Sequence, residues 1–206
     1  MDILIYLMVF GPMAAAILSY LIGRKSKVGR DSFVWITVTV EFLLSLCLLV
    51  LFGNAAGEEL VKIPGVCGFG LNFTAGGFRC IYAAIAAFMW LITGLFSPEY
   101  FAHYRNRNRY YLFQLITLGA TVAVFLSADL YTTFVFFEIM SLCSYVWVAQ
   151  DEKEGSLRAG GTYLAVAVIG GMVMLMGIFL LYASCGTLNF HELPQLAAQM
   201  SDSRKL

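Results

Sequence analysis

Six long and nearly uninterrupted apolar runs constrain this chain more than any other feature of its sequence. A helix that crosses a bilayer needs about 20 mostly apolar residues, and each run is close to that length. The apolar residues are continuous and do not alternate with polar ones, which argues against the strands of a membrane β-barrel. The sequence therefore predicts an all-α integral membrane protein with six transmembrane helices. The six runs are 3–22, 32–52, 78–96, 110–127, 130–148 and 159–182.

The composition excludes several other classes of protein. Of the 206 residues, 60% are hydrophobic and 13% are charged, whereas a soluble domain is about 45–50% apolar and about 25% charged. A water-soluble globule of this size has no way to bury so much apolar surface. The net charge of zero offers no basic excess for nucleic acid. A cytosolic enzyme, a disordered chain and a nucleic-acid binder are thereby excluded.

The distribution of basic residues predicts the orientation in the membrane. Most of the 13 basic residues follow the first, third and fifth runs, beginning with a cluster at 24–30. Cytoplasmic loops carry an excess of Lys and Arg, so these loops are predicted to be cytoplasmic and both termini to lie outside. Asp2, rather than a basic stretch, precedes the first run, which is interpreted as a spanning helix and not as a cleaved signal peptide.

The connections between the runs also carry predictions. Residues 53–77 contain glycines, Pro64 and two strand-like pieces, which predict an ordered external loop or hairpin. The link 127–129 is so short that the fourth and fifth helices must be antiparallel neighbours. Asp129 is placed to cap the fifth helix. Residues 193–200 are predicted to form a short interfacial helix.

Two carboxyl groups, Glu41 and Glu138, lie near the middle of apolar runs. A charge at mid-bilayer costs about 2.5–3.5 kcal/mol on insertion scales, so such a residue is a functional-site hypothesis by default. Ser141 and Tyr145 follow Glu138 on the same helix face. This polar stripe is suited to passing a proton. The alternative is an acid that is kept neutral, or paired with a basic residue, to fix helix packing.

The other charged residues of the runs leave more than one interpretation open. For Glu41, which has Thr37 and Ser45 one turn away, a structural pairing and a proton role weigh equally. Arg158 lies at the predicted cytoplasmic start of the sixth run, just before residue 159, and either reaches the interface or turns towards Glu138. Arg79 is predicted to have a structural role.

Small and aromatic residues predict packing rather than chemistry. Tyr110, Tyr111 and Trp147 predict an interfacial aromatic belt. The five cysteines form no CxxC pair, so no metal ligands are predicted, and no catalytic or cofactor-binding motif is present. The sixth run contains glycines that favour close helix contact. They are Gly160, Gly161, Gly170, Gly171 and Gly177.

Short motifs surround Glu138 between Ser127 and Gly171. They are Asp129-Leu130, Phe136-Phe137-Glu138-Ile139-Met140-Ser141, Ser144-Tyr145, Arg158-Ala159-Gly160 and Tyr163-Leu164. With these motifs, and with residues 96–100 and 186–190, the chain resembles the proton-conducting membrane subunits shared by complex I, membrane-bound hydrogenases and Mrp-type sodium/proton antiporters. The resemblance implies a partial antiporter-like fold.

The resemblance also implies a mechanism for Glu138. In the family, the corresponding glutamate pairs with a lysine on a broken seventh helix, and movement of that lysine changes the glutamate's proton affinity. The implied function is proton or sodium/proton translocation within a redox-driven complex or a multisubunit antiporter, without catalysis by this chain. Because the six runs do not include that lysine, we expect a lost half or a companion chain to carry it. The alternative function is a non-conducting scaffold that docks neighbouring subunits.

The resemblance divides the chain into three parts. Residues 1–109 are the leading three-helix segment, residues 110–182 are the first three helices of an antiporter-type repeat, and residues 183–206 are an external tail. The implied partners are other membrane subunits, including a chain with the missing lysine, together with lipid and protons or sodium ions. The implied location is the inner membrane of a prokaryotic-type cell. No cofactor is expected in this chain.

Overall fold

Six long helices form the body of the described structure. The structure is a computed structural model that describes residues 2–53, 59–66, 68–102, 104 and 106–199. Every one of the six is long and apolar enough to cross a membrane, which confirms the predicted all-α membrane fold. They are α1 (Asp2–Gly23), α2 (Lys27–Phe52), α3 (Gly77–Tyr100), α4 (Arg107–Leu126), α5 (Leu130–Val148) and α6 (Glu154–Cys185).

Two helices begin well before their apolar runs. α2 begins at Lys27 rather than at residue 32, and α6 begins at Glu154 rather than at residue 159. The helical backbone hydrogen bonds also include the polar residues that precede each apolar run. α2 starts at a cap, where the Ser26 side chain accepts a hydrogen bond from the Gly29 amide at 3.1 Å. Apolar runs therefore locate the spans but understate the helices.

Two connections have the secondary structure predicted for them, although residues 54–58 and 67 of the predicted loop lie outside the described residues. Strands β1 (Glu59–Ile63) and β2 (Leu71–Ala75) pair antiparallel as a hairpin, with Val61 opposite Phe73. The predicted short helix is α7 (Leu193–Gln199). Residue 200, the predicted end of that helix, lies outside the described residues, as do the last residues of the predicted external tail.

The core is centred on α4, which packs against α1, α3 and α5. Of the 18 most apolar consecutive residues of α4, 67% are buried, whereas the corresponding share for α6 is 11%. α6 packs only on α5 and α7 among the described elements with which it makes several contacts. α6 is thus a peripheral helix whose outer face is open in the described structure.

The central position of α4 overturns one prediction. Tyr110 and Tyr111 are buried, so their assignment to an interfacial belt is wrong. The first turn of α4 is covered by its neighbours, and Ser97 of α3 donates to the Tyr111 hydroxyl at 3.1 Å. The Arg30 guanidinium also lies 4.8 Å from the Tyr111 ring centre. Trp147 is partly buried beside Trp90, with ring centres 6.3 Å apart.

The contact between α1 and α4 depends on a glycine and gives a first prediction. A Cβ at Gly119 would overlap the Val9 carbonyl oxygen and lie 2.9 Å from Met13 Cγ. We expect Gly119→Ala to destabilise the detergent-purified protein by about 1–3 kcal/mol, because a backbone atom cannot move aside as a side chain does. Thermal unfolding measures the change. Gly161→Ala, where a Cβ meets nothing within 4 Å, is the control. Equal midpoints for the two variants would contradict the proposed close contact.

Candidate functional site

A hydrogen-bonded cluster around Asp129 fixes the start of α5. Asp129 Oδ1 accepts from the Thr132 amide at 2.7 Å, which confirms the predicted cap. Its Oδ2 accepts from Asn72 Nδ2 at 2.7 Å and from Thr132 Oγ1 at 2.9 Å. The backbone amide of Asn72 donates to Thr132 Oγ1 at 2.9 Å. One buried carboxylate thus joins the hairpin to the beginning of α5.

The segment after α6 returns to the same point. The Leu130 amide donates to the Leu188 carbonyl at 3.1 Å, and the Phe190 amide donates to the Ala128 carbonyl at 3.2 Å. Because the chain after α6 is bonded to the residues that begin α5, this end of the two helices is held in register. That register decides which α6 residue faces each side chain of α5.

Glu138 lies between α5 and α6, directly against Gly171. A Cβ at Gly171 would stand 2.7 Å from the Glu138 carboxyl carbon and closer still to Oε1. The carboxyl group therefore occupies space that the glycine leaves free. Its Oε1 atom is buried and has no hydrogen-bond partner among the described residues. Among the described residues, no basic side chain pairs with the Glu138 carboxyl group.

Ser141 and Tyr145 lie at the same helix interface, as their spacing predicts. The Tyr163 hydroxyl of α6 donates to the Ser141 carbonyl at 3.1 Å. Tyr145 packs its ring over Gly160, where a Cβ would meet Cε2 at 3.0 Å. The structure thus brings Glu138, Ser141 and Tyr145 together along one contact between α5 and α6.

Of the five glycines in the sixth apolar run, two make close contacts within this chain and three do not. Gly160 and Gly171 face Tyr145 and Glu138, as described above. A Cβ at Gly161, Gly170 or Gly177 would meet nothing within 4 Å. The prediction of close packing therefore holds for two positions, and the other three lie on the open side of α6.

Arg158 and Glu138 are not brought together. The Arg158 side chain is 81% exposed and pairs with Glu154 at 3.3 Å, one turn earlier on α6. Arg79 lies at the opposite end of the helices, where it donates to the Ser127 carbonyl and its guanidinium lies 5.5 Å from the Phe190 ring centre. That position agrees with a structural role for Arg79.

Glu41 lies in a different part of the protein. It is 2% exposed and belongs to the face of α2 that packs on α1 and α3. Its Oε1 atom has no hydrogen-bond partner among the described residues. The Thr37 and Ser45 hydroxyls donate to backbone carbonyls of α2 itself. No basic side chain among the described residues pairs with Glu41, so the structure does not decide between a structural pairing and a proton role.

Gln114 is a buried polar residue that the sequence reasoning did not single out. It is 1% exposed at the centre of the bundle, and both atoms of its amide group lack hydrogen-bond partners among the described residues. Trp90 donates to the Gln114 backbone carbonyl at 3.0 Å. The available signal was the spacing of Gln114, Thr117 and Thr121, which places three polar residues on one face of α4.

The described residues contain no group of three or more His, Cys, Asp or Glu side chains arranged to hold a metal ion. The Glu138 site is a set of carboxyl and hydroxyl groups between two helices. Such a set is suited to binding and releasing protons, because the proton affinity of a carboxyl group responds to burial and to nearby charge.

Comparison with known proteins shows which family part of the chain resembles. Residues 127–206 match the family described as "NADH:quinone oxidoreductase/Mrp antiporter, TM". A relative from Staphylococcus haemolyticus, named as antiporter subunit mnhD2, is 28% identical over 205 residues, which are 98% of this chain and 40% of the relative. The mnhD2 protein of Staphylococcus aureus (strain MRSA252) is 28% identical over 94% of this chain and 39% of its own length. Residues 127–206 are thus similar to this antiporter-like family. The chain spans about two fifths of the length of these curated relatives.

Solved structures show the same fold. A chain of the membrane-bound sulfane sulfur reductase, an archaeal respiratory membrane complex, matches with a TM-score of 0.86 and 21% identity, over 98% of this chain and 41% of that one. A chain of respiratory complex I from Thermus thermophilus matches with a TM-score of 0.77 and 19% identity, over 97% and 40%. The fold of these two chains thus extends over nearly the whole of this chain. The family match itself includes α5 and α6, and therefore Glu138, but not Glu41.

Proposed function

We propose that this chain is part of a cation/proton-translocating membrane subunit and that Glu138 is its mid-membrane protonatable group. The observation that carries the proposal is the position of the Glu138 carboxyl group, which lies against Gly171 inside a helix long enough to span the membrane. The relatives named as antiporter subunits support the class of function. Proton transport by the assembled complex with Glu138→Gln tests the proposal.

The proposed chemistry is reversible protonation of Glu138. A carboxyl group binds a proton more weakly when a cation approaches it and more strongly when the cation withdraws. The described residues supply no such cation, so we propose that a lysine from another membrane segment does so. Ser141 and Tyr145 lie at the same helix contact and are proposed to line the route by which the proton reaches Glu138. Arg158, which pairs with Glu154, is not needed for this step.

The setting of the chain is part of the same proposal. We propose that it works with other membrane subunits of a redox-driven complex or a multisubunit antiporter, in the inner membrane of a prokaryotic-type cell. The loops that carry most of the basic residues would face the cytoplasm. For Glu41, which is buried among α1, α2 and α3, a proton role and a structural role stay open as proposals.

The open face of α6 favours a second function, the docking of a neighbouring subunit. Val166, Ile169, Met172 and Val173 are all exposed on this helix. Gly170 lies on α6 where a Cβ meets nothing within 4 Å. Small residues allow membrane helices to approach closely, so such a face is suited to contact with another helix. Docking through α6 and proton transfer at Glu138 use different sides of the same helix.

Adjacent glycines separate these two functions experimentally. In Gly171→Ala the new methyl group would displace the Glu138 carboxyl group, because the neighbouring atoms belong to the end of a flexible side chain. We expect proton transport per assembled complex to fall by roughly tenfold or more, with normal assembly. Gly170→Ala is the matched control, and transport by its assembled complexes should be unchanged. Blue-native electrophoresis measures assembly, and dye quenching in inverted vesicles measures transport. Identical transport by the two variants would contradict the role of the Glu138–Gly171 contact.

A further inference from the structure

A strongly basic cavity lies at one end of the helices, where α1 turns into α2 and α4 begins. Its volume is about 750 Å³. Four basic side chains contribute to its lining, namely Lys27, Arg30, Arg107 and Arg109. This is the end of the molecule that the basic loops predict to be cytoplasmic. The cavity is separate from Glu138, and the proposed proton transfer does not use it.

The charge of this basic cavity is not cancelled from within. No acidic residue is among the described residues that line it. Asp31 lies 2.6 Å from Arg30 Nη2 and 3.7 Å from Arg107 Nη2, so one carboxylate serves two guanidinium groups. Glu152 pairs with Arg109 at 2.7 Å. Four cations and two neighbouring acids leave the cavity with a positive charge, to which the exposed Lys27 contributes directly.

The basic side chains are held in place before any ligand arrives. Arg30 is buried, donates to Asp31 Oδ1 at 2.9 Å through Nε, and donates through Nη1 to Asn108. Its guanidinium group also packs on the Tyr111 ring. Arg107 donates to the Pro98 carbonyl at 2.6 Å. Fixed guanidinium groups bind phosphate oxygens at a lower cost in side-chain entropy than mobile ones do.

The lining also has an apolar side that faces the membrane region. Tyr20, in the last turn of α1, and Leu112, in the second turn of α4, line the cavity next to the apolar parts of these helices. Tyr20 is exposed. A ligand that fits both sides carries a phosphate group at one end and hydrocarbon at the other. Basic pockets at the membrane boundary are suited to the headgroups of anionic lipids. We propose that this cavity binds the phosphate headgroup of an anionic phospholipid, whose acyl chains pass along Tyr20 and Leu112.

The test compares two charge-matched double variants of the native membrane complex purified in detergent. Lys27→Gln/Arg109→Gln removes two lining cations, and Arg24→Gln/Lys25→Gln removes two exposed cations from the same turn that do not line the cavity. Thermal stabilisation is titrated with phosphatidylglycerol, with phosphatidylcholine and with inorganic phosphate. We expect phosphatidylglycerol alone to stabilise the wild-type complex. Its apparent affinity should fall about 10- to 30-fold in the lining variant and change less than about twofold in the control.

Several outcomes would overturn the proposal. Equal losses in the two double variants would show a general surface-charge effect. Equal stabilisation by inorganic phosphate would identify a soluble phosphate compound as the ligand, and equal stabilisation by phosphatidylcholine would remove the role of charge. The single variant Lys27→Gln guards against misfolding, because it changes only an exposed side chain of the lining. An unchanged affinity for phosphatidylglycerol in a folded Lys27→Gln complex would also count against the proposal.

Discussion

Proton transport by the assembled complex is expected to fall by roughly 100-fold or more when Glu138 is replaced by glutamine. Glutamine has nearly the same shape as glutamate, so it keeps the contact with Gly171, but its amide group does not carry a proton at neutral pH. Because no other carboxyl group lies beside Glu138 at the α5–α6 contact among the described residues, no neighbouring carboxyl group replaces it. Dye quenching in inverted vesicles gives the transport rate, which is normalised to the amount of assembled complex.

Two control variants give this result its meaning. Glu154→Gln makes the same chemical change at a side chain that is 91% exposed, and its transport should match that of the wild type. Glu138→Asp keeps the carboxyl group but shortens the side chain, so it should retain more transport than Glu138→Gln. Wild-type transport by a fully assembled Glu138→Gln complex would contradict the proposal and leave the docking function as the better account.

Unfolding of the Asp129→Ala protein is expected to require about 3 kcal/mol less free energy than unfolding of the wild type. Loss of a helix cap costs about 0.5–2 kcal/mol, and each buried donor left without an acceptor costs about 1–3 kcal/mol. Asp129 is buried, and its carboxylate accepts from Asn72 and twice from Thr132. Its removal therefore loosens the joint between the hairpin and α5. Denaturant unfolding of the purified protein in detergent measures the difference.

The matched control for this change is Asp151→Ala. Asp151 pairs with the exposed Lys153 at 3.1 Å, and an exposed ion pair contributes about 0–1 kcal/mol. Asp129→Asn keeps one side-chain oxygen as an acceptor and should lie between the wild type and Asp129→Ala. If Asp129→Ala unfolds at the same denaturant concentration as Asp151→Ala, the Asp129 cluster does not hold the start of α5 in place.

Local features were predictable because they depend on residues that are close in sequence. Each span follows from an apolar run, and the cap at Asp129 follows from a carboxylate placed just before a helix. The hairpin follows from two strand-like pieces and the glycines between them. The first residues of α2 and α6 were not predicted to be helical, because they are polar and therefore lie outside the apolar runs.

Neighbour relations between helices were less predictable. Tyr111 is an aromatic residue at the end of an apolar run, as interfacial aromatic residues usually are. It is buried because α4 lies at the centre of the bundle, which the sequence does not indicate. Gly170 and Gly171 are equivalent in the sequence, yet they face opposite environments because α6 packs on α5 along one side. Arg158 was open to pairing with Glu138 until the structure placed it beside Glu154.

The candidate site itself was partly predictable. Glu138, Ser141 and Tyr145 share a helix face by spacing alone, and the structure places all three at one contact. The sequence did not predict that Gly171 makes room for the carboxyl group, because that contact depends on the register between α5 and α6. Gln114 was not predicted as a site residue, because an uncharged amide in an apolar run is a weaker signal than a charged group.

The most direct test of the central claim is an infrared difference spectrum of the assembled complex at rest and during turnover. If Glu138 gains and loses a proton, the spectrum contains a carboxyl C=O band that is present in the wild type and absent in Glu138→Gln. Glu154→Gln should leave the band unchanged. A spectrum with no changing carboxyl band, or a band that persists in Glu138→Gln, would contradict proton transfer at this residue.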